Sequence, residues 1–245
     1  MSSAFDDQVA AYDRWYATPL GQLVDRLEKE ALYSLLPEVR GQRLLEVGCG
    51  TGNISLALAH QGAWVVGVDA SGPMLAAARH KAADHVIALT LVRGLAGRLP
   101  FRDASFDGVL GILALDFISD REGALQEMVR VLRPGGFLVV AVLNRFSLWT
   151  LKRLVRSWFT PSLWRQVRFL TPRALKDLLA SHRDLTKGRL EQAIFFPPWA
   201  NHRAQRCYPT LENLGKKLHL RTGAFLVATA RKKRDSLPPG GQPFV

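Results

Sequence analysis

Cysteine is scarce in this chain of 245 residues, with only Cys49 and Cys207 present. Two distant thiols build neither a disulfide framework nor a cysteine-rich metal cluster. His60, His80, His182, His202 and His219 are scattered without the paired spacing of a zinc site. No apolar run approaches the ~20 residues of a membrane span, and Met1 to Ala10 is acidic rather than signal-like. Internal repeats are absent. Acids are outnumbered, 21 Asp and Glu against 33 Lys and Arg, for a net charge of +12. These shortages argue against disulfide-stapled, zinc-centred, membrane-spanning and solenoid classes, and a reducing, cytoplasmic setting is expected. What remains is 48% hydrophobic, enough for the core of one large α/β domain with no obvious second one.

Residues Leu44 to Asn53, LLEVGCGTGN, carry the most information. An apolar run breaks into a glycine-packed turn and then into an alanine- and leucine-rich helix pattern. That is a strand, a tight loop and a helix start, the unit on which nucleotide-like cofactors bind. Gly48, Gly50 and Gly52 allow a sharp turn and close approach of a ligand. The following helix start directs free N–H groups there. The spacing is G-x-G-x-G, because Asn53 stands where a dinucleotide fold wants its third glycine. A second apolar strand, Trp64 to Asp69, ends in a carboxylate where a ribose hydroxyl pair would be gripped. Glu46 lies inside the first strand. A buried strand seldom carries an unpartnered acid, so Glu46 answers a cation or a hydroxyl, or pairs with nearby Arg43.

A coarse pass assigns residues 5–36 to an N-terminal helix, with Leu20, Leu23, Val24, Leu27, Ala31 and Leu35 at helical spacing. Strands are expected at Arg43–Val47, Trp64–Asp69, about Leu89–Arg93, Phe106–Ile112 and Phe137–Leu143. Helices are expected over Asn53–His60, from a Ser71 cap to about Lys81, and from a Ser119/Glu122 capping box to Leu132. Pro134, Gly135 and Gly136 stop the last of these. From Arg145 to Arg189 eleven Lys or Arg face two acids, Asp177 and Asp184, with Trp149, Trp158, Phe159, Trp164 and Phe169 interleaved. This stretch reads as two or three amphipathic helices, the last begun by Thr171, Pro172 and Arg173. A return strand at about Leu190–Phe196 and a final strand at Ala224–Ala230 follow. Arg231 to Val245 reads as a basic, Pro/Gly-rich disordered tail.

LLEVGCGTGN, VVGVDAS, RLPFRDASFDGV and MVRVLRPGGFLVV, in that order, resemble the motifs of class I S-adenosylmethionine-dependent methyltransferases. Within that superfamily they most resemble the group that includes quinone-biosynthesis methyltransferases. The resemblance covers roughly Leu44 to Leu143, and Arg14 to Glu28 is similar to the leader before the fold in some members. It implies a Rossmann-like sheet of seven mostly parallel strands, the last antiparallel, with helices on both faces. The chain then divides into an N-terminal helical lid (1–36), a cofactor-binding half (37–143), a basic aromatic cap insertion (144–189), the last two strands (190–230) and the tail (231–245). The cofactor implied is S-adenosyl-L-methionine, with S-adenosyl-L-homocysteine as product. By the same resemblance Glu46, Gly48 and Gly50, with Cys49 between, hold the methionine portion. Asp69 takes the ribose hydroxyls, Ala70 and Met74 lie beside the adenine, and Gly94, Leu95 and Ala96 meet its edge. Ile112 and Leu113 flank the methionine end. Insertions after the fifth strand commonly cover the substrate site in this superfamily.

Two departures from the family pattern stand out. An acid often occupies the position of Leu95, and Leu95 cannot accept from the adenine amino group, which leaves the Ala96 backbone. A histidine often precedes the helix after strand four, where this chain has Phe117. Asp116 is then the ionisable side chain at the mouth of strand four, a candidate to orient or deprotonate substrate, or a solvated loop acid. Tyr12, Trp15 and Tyr16 form an aromatic lid over the sulfonium by cation–π contact, or pack the N-terminal helix. Phe196-Pro197-Pro198-Trp199 resembles the signature of amino-directed nucleic-acid methyltransferases, but it lacks the leading Asp, Asn or Ser and follows the wrong strand. Neither cysteine is placed for cytosine methylation.

The leading expectation is methyl transfer to a small-molecule or lipid-like acceptor. Positive charge near the site favours an anionic substrate or a peripheral membrane approach. RNA or protein methylation would use the same basic face against phosphates, but no nucleic-acid module is visible. A catalytically silent S-adenosylmethionine-binding partner protein is a third reading. A nicotinamide-dependent reductase conflicts with the loop spacing and every downstream motif.

Overall fold

The computed structural model describes residues 6–159, 164, 167–199 and 205–234. Seven strands form one sheet: β1 (Arg43–Val47), β2 (Trp64–Asp69), β3 (Thr90–Arg93), β4 (Phe106–Ile112), β5 (Leu132–Leu143), β6 (Leu190–Ala193) and β7 (Phe225–Arg231). Their order is β3-β2-β1-β4-β5-β7-β6. The first five run parallel and β7 lies antiparallel between β5 and β6. Strand order reverses between β1 and β4, and a crevice opens beyond the carboxyl ends of the strands at such a switch point.

β5 is the spine of the molecule. Phe137, Val139 and Ala141 enter one core cluster while Leu138, Val140 and Val142 enter the other. Side chains alternate across a strand, so an unbroken apolar run here means burial on both faces. The regular part of β5 matches the run at Phe137–Leu143. The strand itself begins earlier: Leu132 pairs with Phe106, and pairing resumes at Gly108 and Phe137 after a register shift.

The helices are α1 (Val9–Tyr16), α2 (Pro19–Tyr33), α3 (Asn53–His60), α4 (Gly72–Asp84), α5 (Arg121–Val131), α6 (Leu148–Phe159), α7 (Pro172–Ala180) and α8 (Tyr208–Lys217). The single N-terminal helix expected over 5–36 is instead two, and residues 1–5 lie outside the described residues. Thr18 is extended before Pro19 and its hydroxyl accepts from Gly21 N at 3.0 Å. A residue before proline leaves helical space, and proline suits the first turn of the next helix. The cap of α5 is Asp120, which accepts from Gly123 N at 2.9 Å, rather than Ser119. Ser71 and Thr171 cap α4 and α7 as the sequence suggests, and α4 extends past Lys81 to Asp84. β6 ends at Ala193, short of Phe196, and α8 is a helix that the pass along the sequence leaves unassigned.

The start of the supposed tail is built into the fold. Arg231 closes β7, and Lys232 is buried with its Nζ donating to the Val129 and Leu132 carbonyls at 2.8 Å each. Two carbonyl acceptors satisfy a lysine that desolvation would otherwise exclude. Residues 235–245 lie outside the described residues. Phe196 is also structural: it stacks on Tyr208 at 4.2 Å, and its carbonyl accepts from Trp149 Nε1 at 2.9 Å.

Candidate functional site

The glycine loop is fastened to β2 before any ligand is considered. Gly48 and Cys49 both donate their backbone N–H to Val68 O, at 2.7 and 3.0 Å. Gly50 N donates to Asp69 Oδ2 at 2.9 Å, and Ser71 N donates to Asp69 Oδ1 at 2.8 Å. Asp69 therefore organises the loops after β1 and β2 together, and its own carbonyl accepts from Gly94 N at 3.0 Å after β3. Burial raises its pKa, with the backbone N–H groups of Ser71, Gly50 and Ala70 opposing the rise. A carboxylate has about four lone-pair sites, so one remains for another donor.

Gly48 has φ +72° and an added Cβ would lie 2.5 Å from Ala114 Cβ, so the loops after β1 and β4 touch there. Gly50, at φ +52°, faces open space. On the β4 side Leu113 holds φ +57° while donating to Ala141 O at 2.8 Å. A leucine in that region stores about 1–3 kcal/mol of strain, a pattern concentrated at ligand sites.

These pieces border one cavity. Glu46, Gly48, Cys49, Gly50, Ile112, Leu113 and Tyr12 line it, as do Tyr16, Asp25 and Glu28. Trp15 does not; it packs edge-on against Tyr16 at 4.8 Å and against the core. Asp69 itself and Ala70, Met74, Gly94, Leu95 and Ala96 lie outside this lining. Met74 is buried, Leu95 is exposed with its carbonyl accepting from Arg98 N, and Ala96 is half-buried against the second core.

Glu46 is answered by a hydroxyl, since buried Ser55 donates to its Oε2. The Arg43 side chain goes elsewhere: its Nε lies 3.9 Å from Asp107 Oδ2. Burial pushes the Glu46 carboxyl up to about 8, against the pull of Ser55. Glu28 is likewise pushed to about 8, by burial first and then by Asp25. The Tyr12 and Tyr16 phenols meet at 3.4 Å, and burial keeps both protonated. The wall is thus a set of acids and phenols, a surface that suits a cation.

Asp13, Thr51 and Lys81 carry no signal in the sequence. Lys81 Nζ, from α4, donates to Asp13 Oδ1 at 2.7 Å, Thr51 Oγ1 at 2.9 Å and Asn53 Oδ1 at 2.9 Å. Thr51 also donates to Asp13 at 2.9 Å. This cluster clamps α1 onto the glycine loop. Its bonded pairs are 28 to 68 residues apart in sequence, so no local spacing announces them.

Asp116 is not a solvated loop acid, being 1% exposed. Its Oδ2 accepts from Leu143 N at 3.0 Å, while its buried Oδ1 has no partner among the described residues. Burial pushes the carboxyl up to about 8, and Leu143 N–H, Arg121 and Arg153 pull the other way. Arg153 was not a candidate from sequence, where it is one of many basic residues in the insertion. In the fold it turns inward from α6, over Trp164 at 4.4 Å and Trp149 at 5.6 Å. Its Nη1 is buried and also lacks a partner among the described residues. Burial lowers its pKa to about 10, opposed by Glu28, Asp116 and Tyr16. A carboxyl oxygen and a guanidinium nitrogen are thus both buried without a partner among the described residues, and each such orphaned group costs about 1–3 kcal/mol, which makes both candidates for binding a ligand.

Comparison with known proteins agrees with this geometry. A family model described as a methyltransferase domain matches residues 45–140. The malonyl-[acyl-carrier protein] O-methyltransferase of Enterobacter lignolyticus is 33% identical over 189 residues, covering 73% of this chain and 70% of that protein. The demethylmenaquinone methyltransferase of Beutenbergia cavernae is 40% identical over 141 residues, 58% of this chain; the match spans only 57% of that relative's length. Among solved structures, a methyltransferase from Thermotoga maritima superimposes with a TM-score of 0.69 at 27% identity, covering 94% of this chain and 98% of that one.

Proposed function

This chain belongs to the class I S-adenosylmethionine-dependent methyltransferases, and we propose that it transfers a methyl group to a small-molecule or lipid-like acceptor bearing an anionic or acidic oxygen. One observation carries the reading. The glycine loop, Glu46 and the strained end of β4 border one cavity at the β1/β4 switch point, and Asp69 grips its rim through Gly50. The donor set fits the cofactor: open space at Gly50, a remaining lone pair on Asp69, and a wall of acids and phenols for a sulfonium and an ammonium.

When bound, S-adenosylmethionine supplies an electrophilic methyl group and leaves as S-adenosylhomocysteine. The chain's own part is to bind, orient and exclude water. Gly48, Cys49, Gly50 and Glu46 receive the methionine portion, with Tyr12, Ile112 and Leu113 around it. Asp69 accepts from a ribose hydroxyl. Ala70, Met74 and the Gly94–Leu95–Ala96 turn meet the adenine, where the Ala96 backbone replaces the missing acid. Trp15 backs Tyr16 rather than touching the ligand. At the acceptor end the Arg153 guanidinium, in cation–π contact with Trp164 and Trp149, binds the developing negative charge on the acceptor oxygen. Asp116 Oδ1 receives the acceptor's proton, and a carboxyl near 8 is matched to that task.

Calorimetric titration with S-adenosylmethionine and S-adenosylhomocysteine tests the cofactor reading, with Asp69→Ala as control. Micromolar binding abolished by the substitution is expected. No binding at millimolar ligand refutes it. The names of the relatives suggest starting the acceptor screen with demethylated quinone precursors and malonyl thioesters.

A further inference from the structure

Helix α6 is amphipathic in the opposite sense to a helix that packs on a core. Trp149, Thr150 and Ser157 are buried, and Arg153 turns inward between them. Apart from Trp149, the inward face is polar. The apolar residues point out: Leu148 is 53% exposed, Leu151 57%, Trp158 75% and Phe159 80%, with Val155 also exposed. At positions 148, 151, 155 and 158 they make a continuous helical stripe. Exposed Phe146 precedes it. Lys152 Nζ donates to Pro198 O at 2.7 Å, which sets exposed Trp199 alongside. A patch of this kind on a folded chain marks an interaction surface.

Charge selects the partner. Arg145, Lys152 and Arg156 are exposed around the stripe, within a stretch holding eleven basic residues and two acidic ones. An apolar face ending in Trp and Phe and framed by Lys and Arg matches the boundary between acyl chains and anionic headgroups. Among the described residues no helix is long and apolar enough to cross a membrane, so such contact is peripheral. We infer that the outward face of α6 docks on an anionic phospholipid bilayer. The inward face of the same helix carries Arg153, to which the methyltransferase reading gives the acceptor's charge. Docking therefore places the acceptor site next to the bilayer from which a lipid-like acceptor would come; this consequence rests on the methyltransferase reading, whereas the docking itself does not.

Co-sedimentation of the full chain with vesicles tests it, comparing phosphatidylcholine alone with phosphatidylcholine containing phosphatidylglycerol. Binding to the anionic vesicles that weakens with salt is expected, with little binding to the neutral ones. The doubly substituted Trp158→Glu, Phe159→Glu chain should partition about tenfold more weakly or worse, with S-adenosylhomocysteine affinity unchanged as the check on folding. Equal binding to neutral vesicles, or binding that the double substitution leaves intact, overturns the inference. So does failure to bind vesicles, and sedimentation showing that the same substitutions break a dimer would then identify a second copy as the occupant. Loss of cofactor binding in the unsubstituted chain would instead count against the methyltransferase reading and leave the vesicle result standing.

Discussion

Replacing Gly50 by alanine separates what the glycine loop does for the fold from what it does for a ligand. Gly50 has φ +52° and an added Cβ would meet nothing within 4 Å. The cost to the fold is therefore backbone strain alone, about 1–2 kcal/mol for an alanine in left-handed space. In a chain of this size each kcal/mol lowers Tm by roughly 2–4 °C, well short of unfolding a domain stable by about 5–15 kcal/mol. The cost to a ligand is different in kind. Gly50 lines the cavity, so the new methyl group occupies space at its wall. Crowding of that sort costs about 1–3 kcal/mol, which is roughly 5- to 150-fold in affinity. Gly41 supplies the control, because it has φ +71°, equally open surroundings and no place in the cavity. Thermal melts and calorimetric titration with S-adenosylhomocysteine should show similar losses of Tm for Gly41→Ala and Gly50→Ala, and weakened binding for Gly50→Ala alone. If Gly50→Ala binds as tightly as Gly41→Ala, the cavity is not the cofactor site.

Two further substitutions probe the acceptor end. The Asp116 carboxyl is pushed up to about 8 by burial, against about 3.9 when unfolded. Between those values the folded chain holds a proton that the unfolded chain releases, so stability is greatest at the acid side and falls as pH rises to about 8. Asp116→Asn should flatten that fall in a series of melts from about pH 5 to about pH 9, leaving the part contributed by Glu28 and Glu46, which shift in the same direction. The same variant should lose at least ~10²-fold in turnover with cofactor affinity intact; an unchanged Tm–pH profile and unchanged turnover would remove Asp116 from the mechanism. Arg153→Met exchanges an unsatisfied buried cation for an apolar chain of similar length, which often leaves stability unchanged or raises it. Melts should show no loss of Tm while acceptor KM rises, whereas a Tm drop of several degrees with normal KM would make Arg153 a structural residue.

Much of the fold is legible in the letters. β1, β2, β4 and α3 fall on the residues that their apolar runs and glycine punctuation indicate, because strand period, turn residues and caps act over a few positions. The break at Thr18-Pro19 is equally local, but an apolar repeat running across it masks the signal. The seven-stranded order and the family follow from motifs in sequence order. The glycine-loop half of the candidate site is legible for the same reason: Glu46, Gly48, Gly50 and Asp69 lie at the ends of two neighbouring strands, where chain order already implies proximity.

The half of the candidate site around Asp116 and Arg153 belongs to tertiary structure. A helical pattern shows that α6 has an apolar side and a polar side, but its period is the same whichever side faces the protein. Only packing decides that Arg153 turns inward between Trp149 and Trp164 and that Trp158 and Phe159 turn out. The Asp13–Thr51–Lys81 clamp joins three segments distant in sequence, and Asp116 is buried because residues from β5 and the insertion close over it. Short-range chemistry fixed the strands and the glycine loop; the desolvation of particular charges, and with it the chemistry of the site, arises only when distant segments exclude water together.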